Sequence, residues 1–161
     1  MTLTQEEAHR LFEYKDGDLF WKNCNCNTVQ NGDKAGHPNS YGYWRVETKY
    51  KSLAAHRIVF LMHHGFLPKV VDHIDGNKLN NKIENLRAAT YHQNGCNSKI
   101  SKRNTSGAKN ITWRKAQNKW RVRVDVCGKT INVGQFEDLE LAELAAVMAR
   151  EKYHGVFANH G

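Results

Sequence analysis

A chain of 161 residues with 40% hydrophobic and 10% aromatic side chains can build one ordinary domain or two small ones and is too apolar to stay disordered. No apolar run approaches the roughly 20 residues that cross a bilayer, and the start, Met1-Thr2-Leu3-Thr4-Gln5-Glu6-Glu7, lacks the basic and apolar regions of a secretion signal, so a soluble cytoplasmic protein is expected. The formal net charge of +8 points to a polyanionic partner.

In chain order, Leu19-Phe20-Trp21 and Tyr41-Gly42-Tyr43-Trp44-Arg45-Val46 read as strands bounded by Gly and Asn turns. Ala54 to Met62 reads as a buried helix, because Ile58, Val59, Leu61 and Met62 have helical spacing and Gly65 with Pro68 marks its end. From Val70 the pattern is a strand, an Asp75-Gly76 turn, a polar loop through Asn80-Asn81, a short segment from Ile83 to Leu86, and a helix capped near Thr90. Residues 95 to 107, rich in Ser, Asn and Lys, have no hydrophobic period and read as a basic linker. Three strands follow, Ile111 to Arg114, Trp120 to Val126 and Thr130 to Val133. The last element is a helix from about Leu139 to Tyr153 whose stripe of Leu141, Ala142, Ala145, Met148 and Ala149 is expected to cover one face of the sheet.

The charge is concentrated. No acid occurs between Glu84 and Asp125, while that interval carries Arg87, Lys99, Lys102, Arg103, Lys109, Arg114, Lys115, Lys119, Arg121 and Arg123, enough to neutralise a run of phosphates. A solvated basic surface or a patch for anionic lipid are the alternatives; no amphipathic helix coincides with the stretch, which favours nucleic acid. The four cysteines, Cys24, Cys26, Cys96 and Cys127, lack paired Cys-x-x-Cys spacing, so structural thiols are expected ahead of a zinc site at Cys24 and Cys26 or a disulfide framework.

The run Val70-Val71-Asp72-His73-Ile74-Asp75-Gly76-Asn77-Lys78-Leu79-Asn80-Asn81-Lys82-Ile83-Glu84-Asn85-Leu86-Arg87, with Asn94 beyond it, closely resembles the core motif of the HNH (His-Me finger) homing endonucleases of bacteriophage type. The resemblance implies a ββα-metal nuclease core in which His73 is the general base and Asp72 and Asn94 hold the metal, with Asn85 bracing the loop that orients the histidine. An imidazole suits a base that works near neutral pH. Carboxylate and amide oxygens are hard ligands, so Mg²⁺ or Mn²⁺ is expected. An isolated Asp-His pair would read as a turn residue beside a satisfied histidine; the length of the match reverses that reading. Asp75, Asn80 and Asn81 read as ordinary turn and loop residues. His56-Arg57 resembles a recurrent upstream element of these proteins and reads as structural or phosphate-contacting, and His63-His64 as solvated.

Further on, Lys109-Asn110-Ile111, Lys119-Trp120, Val133-Gly134-Gln135-Phe136 and the helix with Ala142, Ala145 and Ala146 resemble the DNA-binding domain of apetala-type and ethylene-response transcription factors, which usually has Gly at the place of Asn110. That resemblance implies a three-stranded sheet in the major groove, backed by a helix. Period-two alternation turns Trp120, Val122, Val124, Val126, Ile131 and Val133 inward and Arg121, Arg123, Asp125, Thr130 and Asn132 outward. Lys109, Thr112 and Arg114 complete the proposed DNA-facing surface.

The expected organisation is therefore α+β, with a nuclease domain at 1–94, a basic linker at 95–107 and a sheet-plus-helix DNA-binding domain at 108–161. The expected activity is metal-dependent, sequence-preferring hydrolysis of double-stranded DNA, by nicking or double-strand cleavage, in the cytoplasm, that of the host cell if the chain is phage-encoded. The alternative is a non-catalytic DNA-binding regulator. Monomer and homodimer are both left open.

Overall fold

The computed structural model describes residues 3–24, 29–48 and 51–161. The chain divides between Thr90 and Tyr91 into two compact units. Cys26, one half of the zinc alternative, and the first two residues of the expected leaderless start lie outside the described residues. Among the described cysteines, Cys24, Cys96 and Cys127 are free thiols. No helix among the described residues is long and apolar enough to cross a membrane.

The first unit opens with α1 (Gln5–Leu11), capped by Thr4, whose hydroxyl accepts a hydrogen bond from the Glu7 amide at 3.3 Å, satisfying one of the orphan donors of a helix start. It runs straight into a hairpin of β1 (Phe12–Lys15) and β2 (Asp18–Trp21). Asp16 and Gly17 turn it with φ of +50° and +93°, the left-handed pair that matches the twist of two-residue hairpins. Neither α1 nor β1 has a clean period of its own in the sequence.

A second antiparallel sheet has the order β3 (His37–Pro38), β4 (Trp44–Glu47), β5 (Ser52–Ala54). The strand expected from Tyr41 starts only at Trp44, because Tyr41 and Gly42 form a turn held by the Asn39 side chain. Next, α2 (Ala55–His64) ends on Gly65 at φ +75°, the conformation glycine adopts most easily. It buries Ile58, Val59, Phe60, Leu61 and Met62 against Phe12, Leu19, Val46, Val71 and Leu86. This core is the floor on which β6 (Val70–His73) and β7 (Leu86–Ala89) pair antiparallel. The sequence shows β6 and the turn of 3-10 helix at Ile83–Asn85, but not β7.

The second unit begins with α3 (Tyr91–Cys96). A three-stranded antiparallel sheet follows, β8 (Ile111–Arg114), β9 (Lys119–Val126) and β10 (Lys129–Phe136), with β9 central. The unit closes with α4 (Leu139–His154), capped by Asp138 on the Glu140 and Leu141 amides. Ile111 and Val122 of the sheet share a buried cluster with Ala142 and Ala146 of α4, and Trp120, Val133 and Phe136 pack on it. Alternation holds through β9, where Val122 and Val124 are buried and Arg123 and Asp125 exposed. In β10 the register shifts between Asn132 and Gly134, a bulge that lets the strand run on to Phe136.

The helix stripe differs from expectation. Ala142 and Ala146 pack with the sheet and Ala149 is buried, whereas Leu141 and Met148 are 58% and 60% exposed. Alanines let the helix backbone approach the sheet closely, and the larger residues are displaced to the outer side.

Residues 95–107 are tied into the second unit by main-chain acceptors. The Lys109 ammonium donates to the carbonyls of Cys96 (2.9 Å), Ser98 and Asn159 (3.0 Å), and the Asn159 amide donates to Asn97. Lys109 was expected on the DNA-facing surface; its charge is instead spent internally. Loss of hydration and the Arg150 guanidinium hold its pKa below the usual lysine value. Asn110, at φ +71°, adopts a conformation open to Asn and Gly, and Arg150 donates to its side chain and to the Lys109 carbonyl.

Phe12→Ala removes a fully buried ring and should destabilise the first unit by roughly 3–5 kcal/mol, while Met148→Gln on the exposed side of α4 should stay within about 0.5 kcal/mol of wild type. Urea titrations of both variants measure the difference, and comparable losses would contradict this packing.

Candidate active site

Two cross-strand neighbours begin the site. Asp72 and Arg87 face each other on β6 and β7, as do His73 and Leu86. The Arg87 Nε and Nη2 both donate to Asp72 Oδ2 at 2.8 Å. Asp72 and His73 are buried, at 4% and 5% exposure. A buried carboxylate needs a positive or hydrogen-bonding partner, and a guanidinium supplies both.

The loop joining the two strands is cross-braced by Asn85. Its amide nitrogen donates to Asp75 Oδ1 (2.9 Å) and to the Asn80 carbonyl (2.8 Å), while its oxygen accepts from the Asp75 amide (3.0 Å). Asp75 also accepts from the Asn77 main chain and from the Asn80 side chain. Partial burial alone would raise the Asp75 pKa, but the bonds from Asn80, Asn77 and Asn85 outweigh it and hold the carboxyl below its ordinary range. Asp75 and Asn80 thus do the turn-forming work expected of them. Asn81 does more: it is 3% exposed, and its Oδ1 lies 3.0 Å from His73 Nε2. Sequence reasoning passed over this residue, since nothing in an Asn-Asn pair says which amide turns inward.

The other side of His73 is aromatic. The His56 ring, on α2, stands 4.8 Å away at 62°, and Tyr43 lies 5.5 Å from His56 and 6.3 Å from His73. Lys78 caps the Tyr43 ring at 4.5 Å and donates to the Tyr41 carbonyl. His56 is buried and its Nδ1 has no hydrogen-bond partner among the described residues. Burial first, then the neighbouring His73, Arg57 and Arg45, push its pKa down from 6.5 to about 3. A neutral His56 therefore packs beside His73 without adding a competing charge. Arg57 reaches the carbonyls of Pro68 and Lys69 at 3.3 Å, tying α2 to the segment that leads into β6. His63 and His64 are exposed, although His63 Nδ1 also bonds the Val59 carbonyl.

The structure brings Asp72, His73 and Asn85 together in the first unit. Asn94 is an exposed residue of α3 and belongs to the second. Among the described residues, no three His, Cys, Asp or Glu side chains form a metal-binding group. On the sheet of the second unit, Thr112, Arg123, Thr130 and Asn132 are exposed and Arg114 and Arg121 half-buried. Thr130 Oγ1 donates to Asp125. Loss of hydration, then crowding by Arg123 and Arg114, lowers the Arg121 pKa, and its Nε has no partner among the described residues.

The paired strand ending in Asp72-His73, the braced polar loop and the returning strand all lie within residues 53–96. The family model for the HNH endonuclease matches residues 53–96, so this region is an HNH endonuclease domain, a domain that implies a nuclease acting on DNA, generally with a divalent metal. The chain belongs to the same family as Protein 3.8 of Escherichia phage T7, to which it is 40% identical over 113 residues, 68% of this chain and 91% of that protein. It is also 33% identical over 128 residues to the uncharacterized HNH endonuclease L560 of Acanthamoeba polyphaga mimivirus, covering 78% of this chain and 62% of that protein. No solved structure matches.

The depressed His56 pKa has a consequence for stability. The unfolded imidazole takes its proton near 6.5 and the folded one only near 3, so the unfolded state binds more protons between these values. The part of the stability linked to His56 is fully present above pH 6.5 and falls as the pH drops through that window. His56→Phe should make the acid limb shallower, by up to about 1.4 kcal/mol per pH unit. Urea titrations from about pH 7 to about pH 4 test this, and equal slopes for the two proteins would contradict it.

Proposed function

We propose that this chain is a metal-dependent DNA endonuclease of the phage homing type, with His73 as general base and a sequence-preferring DNA surface on the second unit. The observation that carries the reading is His73, buried at the end of a paired strand beside an ionisable Asp72, on a loop braced by Asn85. Hydrolysis of a phosphodiester needs a base held against water and positive charge near the phosphate. His73 would take the proton from the attacking water, and the products would carry 5′-phosphate and 3′-hydroxyl ends.

Asp72, whose buried carboxylate accepts the Arg87 guanidinium at 2.8 Å on Oδ2, is assigned as a cation ligand on the resemblance. Asn94 is assigned as the second oxygen ligand on the resemblance alone. Carboxylate and amide oxygens are the donors that Mg²⁺ or Mn²⁺ prefers. A bound divalent ion would neutralise charge on the phosphate and on the leaving oxygen. Arg87, which donates to Asp72 from across the strand pair, would hold that carboxylate in place.

On the second unit, Arg114, Arg121 and Arg123 crowd one another on the outer face of the sheet, with Thr112, Thr130 and Asn132 around them. Like charges held together are relieved by phosphate, and Arg and Asn can also read base edges. Lys109 is left out of this surface because its three donors are used inside the unit.

His73→Ala should lower cleavage of phage or bacterial DNA in Mg²⁺ by about 10²–10⁴-fold and leave DNA binding intact; a wild-type protein that binds the same DNA without cutting it would favour a DNA-binding regulator. Arg121→Ala combined with Arg123→Ala should weaken binding and reduce the slope of log affinity against log salt by about 2. An unchanged slope in titrations at several salt concentrations would remove the sheet from the DNA interface.

A further inference from the structure

We propose that Asn81 is a positioning residue for the nuclease reaction: it fixes His73 as the tautomer protonated on Nε2, which places the ring's lone pair on Nδ1 to receive the proton from water. The inference rests on the reading of His73 as general base and adds the residue that determines which of its nitrogens acts.

A neutral imidazole has one donor and one acceptor nitrogen, and the hydrogen bond made at one of them decides the role of the other. Asn81 presents its amide oxygen to His73 Nε2 at 3.0 Å. An amide oxygen only accepts, so Nε2 must donate. Both side chains are buried, and water cannot readily replace the bond. Leaving either group unpaired in that position is costly.

The placement of Asn81 is itself built into the fold. Tyr14 of β1 accepts the Ile83 amide on its hydroxyl at 3.1 Å. Gly17, in the turn of the same hairpin at φ +93°, lies so close that a Cβ there would stand 2.9 Å from the Lys82 nitrogen and 3.2 Å from the Asn81 carbonyl carbon. The first hairpin thus clamps residues 81–83 from below and sets the height of the Asn81 amide against the His73 ring. His56, on the far side, is the packing wall that stops the ring from turning away.

The consequence is a loss that appears in the chemical step. Bases held in the wrong tautomer lose up to about 10⁴-fold in rate in enzymes built on a comparable hydrogen bond. Here Asn81→Ala should lower kcat by about 10–100-fold and leave the KM for DNA within about twofold, because the amide touches the base and not the substrate. Asn81→Asp keeps an acceptor oxygen and should recover most of that loss. Gly17→Ala, which pushes on the Asn81–Lys82 backbone, should share part of it.

The test begins with full-length wild-type protein. Two-bond ¹H–¹⁵N correlation spectra, with the His73 signals assigned by their disappearance in His73→Gln, report the tautomer directly at a pH where the ring is neutral. The expected result is Nε2–H in the wild type and in Asn81→Asp, and a mixture in Asn81→Ala, alongside the kcat pattern above. A wild-type ring protonated on Nδ1 overturns the proposal, as does a folded Asn81→Ala with unchanged kcat or a loss confined to KM. Should Asn81→Ala fail to fold, the wild-type tautomer and the Asn81→Asp rate decide. A wild type with the expected tautomer that cleaves no DNA would sink the nuclease reading and leave the hydrogen-bond assignment standing.

Discussion

The organisation of the first unit depends on how a polar loop is closed between two paired strands. Residues 74–85 leave β6 at Asp72-His73 and return at Leu86-Arg87, and the loop between them has little apolar surface with which to hold itself. One side chain, Asn85, supplies the closure by using both kinds of hydrogen-bonding group of its amide, two donations and one acceptance, across the loop. Without those bonds the loop would keep its Asn and Asp turns but lose its fixed relation to the strand end. With them, Asn81 is carried to the His73 ring and Lys78 to Tyr43.

Around this closure the charge is arranged so that a histidine can work beside a carboxylate. Arg87 answers Asp72 across the strand pair. His56 lies against His73 but is kept neutral by burial and by the positive residues near it. Such a pairing of an unprotonated histidine with a second one costs hydrogen bonding at His56 Nδ1, a local sacrifice of stability of the kind found where a site is built. The hydrophobic floor of α2 and the first hairpin bears that cost. In the second unit the same logic runs outward: Val122 and Val124 of β9 are buried, and the arginines on the alternate positions crowd one another on the other face, Arg123 exposed and Arg121 half-buried.

Much of this was legible in the sequence because its signals are local. The Asp72-His73 strand end, the Asp75-Gly76 turn and the alternation of Trp120 to Val126 each need only a few neighbouring residues to be recognised. What was missed depends on partners distant in sequence. Leu86-Arg87-Ala88-Ala89 has no strand preference and becomes β7 by pairing with β6. Asn81 is marked by the hairpin at 12–21 that lies under it, not by its own neighbours. Lys109 looked like one more cation in a basic stretch, but three carbonyls from separated parts of the unit converge on it. The stripe on α4 failed for a related reason: hydrophobicity ranks Leu141 and Met148 above Ala146, while close helix-to-sheet contact selects the smaller residue.

If His73 activates water for attack on a DNA phosphate, the ends left on the DNA are the most direct record of it. Purified protein incubated with phage and bacterial DNA in Mg²⁺ should generate new 5′-phosphate ends at a recurring sequence, mapped strand by strand by sequencing. These ends should be missing with EDTA and with His73→Ala. Ends that appear equally with His73→Ala, or no ends on DNA that the protein demonstrably binds, would contradict the account.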